Sequence, residues 1–174
     1  MDMVRSLGLV AVVLVIWMWL VHPRTPEAIN EVEWWPVAQS ASASAPYDVI
    51  APPESFGWPA TSARVEPQPD GTLAWRVGFY TPAEEYAALL QRGVFAEQAQ
   101  GSVEQWVADE TRDGVAGEMV TLGGREWVRL EGDPIPDERR SLVAVEAGTV
   151  TVVTGSAPWS ELEELAGSLR PVSL

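Results

Sequence analysis

The chain has 174 residues and a formal charge of −14, with no cysteine, a single histidine (His22) and arginine as its basic residue throughout, lysine being absent. That inventory excludes disulfides, thiolate nucleophiles, thiolate zinc sites, Ser-Lys catalysis and Schiff-base chemistry. Because His22 stands before the domain, it also excludes a Ser-His-Asp triad or a histidine metal site inside it.

Residues 6–21 (SLGLVAVVLVIWMWLV) are uncharged. As a helix they reach roughly 24 Å, close to a bilayer core of roughly 30 Å. Arg5 can snorkel at one end, and Trp17 and Trp19 favour the interface at the other, so these three are the expected membrane-interface residues. An A-x-A-like cleavage pattern first occurs at Ala41–Ala45, about twenty residues too late for a cleaved signal peptide. The expectation is a cytoplasmic tail over 1–5, a single-pass anchor over 6–23, a stalk or linker over 24–46 and an extracytoplasmic domain over 47–174. Beyond residue 24, nine arginines against twenty-four carboxylates leave a formal charge of −15. Such a domain is repelled by nucleic acid and by anionic headgroups, so no nucleic-acid partner is expected.

Within the stalk, Val32–Val37 (VEWWPV) reads as a short first strand. Ala38–Ala45 (AQSASASA) reads either as a flexible linker or as a small-residue helix against a sheet. Tyr47–Ala51 is apolar enough for a strand ended by Pro52-Pro53, and Gly57-Trp58-Pro59 is a loop. Thr61–Val65 leads into the turn signal Gln68-Pro69-Asp70-Gly71. Leu73–Tyr80 then alternates, with Leu73, Trp75, Val77 and Phe79 on one side and Ala74, Arg76, Gly78 and Tyr80 on the other. Thr81-Pro82-Ala83-Glu84 imitates a capping box with proline in the first turn, which favours a helix. Yet Tyr86–Gln91 also fits a half-buried strand. Ser102–Gln105 is a second capping-box pattern, opening a short helix with Val103, Trp106 and Val107 on one face and closed by Arg112-Asp113-Gly114.

The C-terminal half reads as hairpins. Glu118–Leu122 and Arg125–Glu131 flank Gly123-Gly124, and Ser141–Glu146 and Thr149–Thr154 flank Ala147-Gly148. Ser160–Arg170 is the clearest helix, with Ser160 and Glu163 as a capping box and Leu162, Leu165, Ala166 and Leu169 as its apolar stripe. Arg170 complements the helix dipole and Pro171 stops the helix. The fold class is α+β: an N-terminal transmembrane helix, then a mostly antiparallel sheet packed with a few helices, including the C-terminal amphipathic one.

Several short patterns occur in a particular order: Asp2–Leu7 before the span, Ala51-Pro52 followed by Gly57-Trp58, and Trp75–Phe79 running into Thr81-Pro82. Gly124 with Trp127 and then Val152–Gly155 before the Leu162–Leu169 helix complete the series. In that order the chain resembles an actinobacterial family of small membrane-anchored proteins catalogued as domain of unknown function number four-two-four-five. The resemblance covers nearly the whole chain. It implies a high-GC Gram-positive origin, in keeping with a lysine-free chain, and it favours a strand over Tyr86–Gln91. It brings no catalytic residues.

Candidate sites are few. Trp75, Trp106 and Trp127 lie on patterned elements and are expected in the core. Trp58 and Trp159 stand beside prolines in loops and are the indoles expected to be exposed; with Arg76 and Tyr80 they are weak ligand-facing candidates. Asp109, Glu110, Asp113 and Glu118 lack calcium-loop spacing and read as a solvated face. No catalytic residue, cofactor or metal is expected. The reading is a non-catalytic, membrane-anchored binding domain for a protein or envelope component. The alternatives are a carboxylate-based glycan hydrolase and a carrier of lipid or another small ligand.

Overall fold

A computed structural model of the chain describes residues 30–94, 100–132, 138–146 and 148–173. The expected anchor, with Arg5, Trp17 and Trp19, lies outside the described residues. Among the described residues, no helix is long and apolar enough to cross a membrane.

The architecture is α+β. A seven-stranded antiparallel sheet has the order β2-β3-β4-β8-β7-β6-β5, from Ala60–Pro67 (β2), Leu73–Tyr80 (β3), Tyr86–Gly93 (β4), Val115–Leu122 (β5), Arg125–Glu131 (β6), Arg140–Glu146 (β7) and Thr149–Gly155 (β8). Two-residue strands Ile50–Ala51 (β1) and Arg170–Pro171 (β9) pair separately. Among the described residues there are three α-helices, α1 (Trp35–Ser44), α2 (Gln100–Thr111) and α3 (Trp159–Ser168), and a 3-10 turn at Glu54–Phe56.

The first face of the sheet holds the main core. The alternation of β3 places Trp75, Val77 and Phe79 there, beside Leu89 of β4, Trp127 of β6, Leu142 of β7 and Val153 of β8. Leu162, Leu165, Ala166 and Leu169 close over them, all fully buried, because they recur at helical spacing along one side of α3. Ala38 and Ala41 let α1 lie close to the same face.

Four expectations change in the structure. Trp35–Val37 begins α1 rather than a strand: Pro36 fits the first helical turn, and the alanines beyond it continue the helix. The small-residue segment is thus the helix, not the linker. Thr81–Glu84 forms the β3–β4 turn, with Glu84 at φ 62, because pairing of β4 with both β3 and β8 outweighs the local helix signal. The α3 helix starts at Trp159 with Pro158 as its N-cap, whose carbonyl accepts from Glu161 and Leu162. The strand expected over Tyr47–Ala51 shrinks to two residues, and the buried amide of Gln91 serves the rest: its Oε1 accepts from Ile50 N at 3.0 Å and its Nε2 donates to Asp48 O at 3.0 Å.

Candidate functional site

The second face of the sheet carries α2, which packs over β8. Val103, Trp106 and Val107 fall on one side of the helix and meet Ala88 and Leu90 of β4 and Val150 and Val152 of β8. Two arginines from the sheet hold the helix at its ends. Near its start, Arg92 Nη1 donates to Ser102 O at 3.3 Å and Nη2 to Ser102 Oγ at 3.1 Å, while the guanidinium lies 5.8 Å from the Trp106 ring centre. Toward its end, Arg76 pairs with Glu110. Ser102 is therefore not a capping residue: α2 begins two residues earlier, and the Ser102 hydroxyl donates to Asp70.

Around the C-terminal end of α2, the charges of Arg112, Tyr86, Glu110 and Arg76 act on Arg139. Burial, and after it the charge of Arg112, pushes the Arg139 guanidinium below its usual range, against the opposing pull of Tyr86 and Glu110. Arg139 Nε donates to Thr154 Oγ1 at 3.2 Å.

Alongside α2, toward β7 and β6, runs an apolar groove of about 580 Å³. Leu130, Val143, Val145 and Val150 form its floor, and Val103, Val107 and Ala108 of α2 form one wall. The charged residues of its lining are Glu104 and Asp113, both carboxylates. Residues paired across antiparallel strands share a face, so the pairs Met119–Val128 and Val128–Val143 continue the floor toward the β5 edge. Val145 and Met119 are 77% and 63% exposed.

The sequence-nominated residues are distributed elsewhere. The exposure expected of Trp58 is not found: it is 8% exposed, in the main core, with its ring centre 4.7 Å from that of Phe56. Trp159 is half-buried at the start of α3, and the Arg129 guanidinium sits 5.0 Å from its ring centre while pairing with Glu118 and Glu163. Trp159 and Arg129 line a shallow cleft of about 420 Å³ with Val115 and Glu118 on the first face. Arg76 and Tyr80 share the second face, both half-buried, and Arg76 is engaged by Glu110. Trp75 and Trp127 are core residues, whereas Trp106, on α2, is partly buried against the second face of the sheet. The acidic residues around Gly114 do not form one cluster, since Glu110 pairs with Arg76 and Glu118 with Arg129. Among the described residues, no three His, Cys, Asp or Glu side chains come together in a way that could hold a metal ion.

Sequence reasoning nominated no residue of the groove. A signal existed in Leu142-Val143-Ala144-Val145, which is apolar on both faces of β7. A strand of that kind needs cover on both sides, while among the described residues the second face carries one short helix. The chain matches no curated protein and no solved structure. Over residues 1–169 it matches the model of one family, described as "Protein of unknown function (DUF4245)", and it belongs to that family.

Proposed function

We propose that this chain is a non-catalytic binding domain, held to the membrane by its N-terminal segment and facing out of the cytoplasm, which receives a protein or envelope component in the groove beside α2. The observation that carries the reading is the groove itself. It is an apolar cleft of about 580 Å³ continuing onto exposed Val145 and Met119, on the face opposite the main core that α1 and α3 cover. Contiguous apolar surface of this kind marks interaction sites. The residue inventory supports binding over catalysis, since thiol, lysine and domain histidine chemistry are absent.

The glycan-hydrolase alternative needs two carboxyl groups roughly 5–10 Å apart across a cleft. The two carboxylates of the groove, Glu104 and Asp113, come from α2 and the residues just past its end, and the strands of its floor contribute none, so the groove favours binding.

A photo-crosslinking residue at Val145, introduced into the full-length protein in intact cells, tests the reading. The expected result is a discrete adduct from Val145 and none from Glu66, an exposed position on β2 at the opposite side of the sheet. Recovery of the protein alone from both positions would remove the reading's main content.

A further inference from the structure

We infer that the groove's occupant is a basic amphipathic helix of a partner protein. This rests on the binding role proposed above and adds the chemistry of the partner.

The first argument is geometric. Seven strands at about 4.8 Å spacing make a sheet roughly 30 Å wide, and one helix covers roughly 10 Å of it. The first face is covered by two helices, α1 and α3, whereas among the described residues the second face carries α2 alone. On the β7 side of α2 the open strip spans β7, β6 and β5, about 10 Å across its strand axes. Its central row is Val143, Val128 and Met119, register partners across the three strands. An apolar sheet face is completed by a second layer of secondary structure, and this strip has the width of one helix. An incoming helix would set apolar residues at i, i+3, i+4 and i+7 against this floor.

The second argument is electrostatic. Every charged residue lining the groove is a carboxylate, Glu104 and Asp113, both exposed. Glu126 of β6 lies two residues before Val128, hence on the same face, and is also exposed. The domain around them carries −15 beyond residue 24. A helix with Lys or Arg flanking its apolar stripe gains complementary contacts along this rim. An acidic helix or an anionic lipid headgroup meets like charge instead.

The probe is a synthetic peptide of about four helical turns, with leucine at i, i+3, i+4 and i+7 and lysine at the flanking positions. Its counterpart carries glutamate in place of lysine. Binding is measured on the full-length protein in phosphatidylcholine nanodiscs, with empty nanodiscs subtracted and dodecanoate as a lipid-like comparison. The expected result is binding of the lysine peptide about tenfold tighter than the glutamate peptide. That order should invert in Glu104→Lys/Asp113→Lys, both at exposed positions, and affinity should fall several-fold in Val145→Gln. Equal binding of both peptides, still weakened by Val145→Gln, would overturn the basic partner while leaving the groove as a binding site. Dodecanoate binding without either peptide, again weakened by Val145→Gln, would overturn it in favour of lipid carriage. Lysine-peptide binding that ignores all three substitutions would overturn both the partner and the groove.

Discussion

Asp70, in the turn between β2 and β3, forms an ion pair with Arg92 of β4 at 2.5 Å, and this contact joins three parts of the fold. Asp70 Oδ1 accepts from Thr72 N at 3.1 Å and Thr72 Oγ1 at 2.7 Å, ordering the turn, while its Oδ2 accepts from Ser102 Oγ at 3.0 Å in the first turns of α2. The Arg92 side chain is 3% exposed. Asp70→Ala would strand a buried guanidinium, and it is expected to cost about 3 kcal/mol in urea-induced unfolding. Asp70→Asn, which keeps an acceptor, should cost less.

The same carboxylate gives stability an acid limb. Burial alone would raise the Asp70 carboxyl, but hydrogen bonds from Thr72, Ser102 and Arg92 outweigh it and hold the group well below its usual range. Its folded value lies below its unfolded value, so its contribution is complete above about pH 5 and is lost as pH falls through the folded value. Urea midpoints taken from neutral pH downward should show a smaller acid loss in Asp70→Asn than in the wild type. Equal losses in the two proteins would assign the acid limb to other carboxylates.

Tyr47 gives an alkaline limb of opposite sign. Its hydroxyl donates to Leu73 O at 3.0 Å and reaches Gln91 O at 3.3 Å, and burial pushes its pKa up to about 12. The folded value is above the unfolded one, so the stabilisation is present below about pH 10 and disappears as pH rises toward 12. Phenolate absorbance should reveal one tyrosine titrating near 12 in the folded protein, and that step should vanish in Tyr47→Phe.

Two glycine substitutions are expected to act in opposite directions. A Cβ on Gly155 would stand 1.9 Å from the Tyr86 carbonyl oxygen, where β8 crosses β4, and backbone cannot yield there. Gly155→Ala should cost more than about 4 kcal/mol or prevent folding. A Cβ on Gly167, in the last turn of α3, meets its nearest such neighbour at 4.0 Å. Gly167→Ala should stabilise by about 0.5–1 kcal/mol, seen as a higher urea midpoint at unchanged slope.

Topology is tested by single cysteines, which a cysteine-free chain makes clean. The serines that look convenient in sequence are poor choices. Ser141 is fully buried, hydrogen-bonded to Thr154 Oγ1 at 2.7 Å, and Ser102 belongs to the Asp70–Arg92 network. Ser55 and Ser160 are exposed. Cysteines at those two positions should react with a membrane-impermeant thiol reagent in intact cells, and the labelled full-length protein should sediment with membranes. Labelling after lysis alone would place the domain in the cytoplasm.

Much of the fold follows from local pattern. The strict alternation of β3 set Trp75, Val77 and Phe79 on one face, and the spacing of Leu162, Leu165, Ala166 and Leu169 set the buried side of α3. Arg170 caps the end of that helix, donating to Gly167 O at 3.0 Å and Leu169 O at 2.7 Å. Such features are legible because period and capping are properties of neighbours in the chain. Other features depend on residues distant in sequence. Glu84 leaves the helical region because strand pairing prevails over a local capping pattern. Trp58 is buried although its flanking glycine and proline read as a loop, because Phe56 and Phe79 enclose its ring. The groove belongs to the same class. Sequence alone determined the charge, the absence of cysteine and lysine and the two-faced apolar character of β7. Tertiary structure decided that α2 packs over β8 and leaves Val145 and Met119 open to solvent, because helix placement is set by packing across the sheet and not by the helix's own residues.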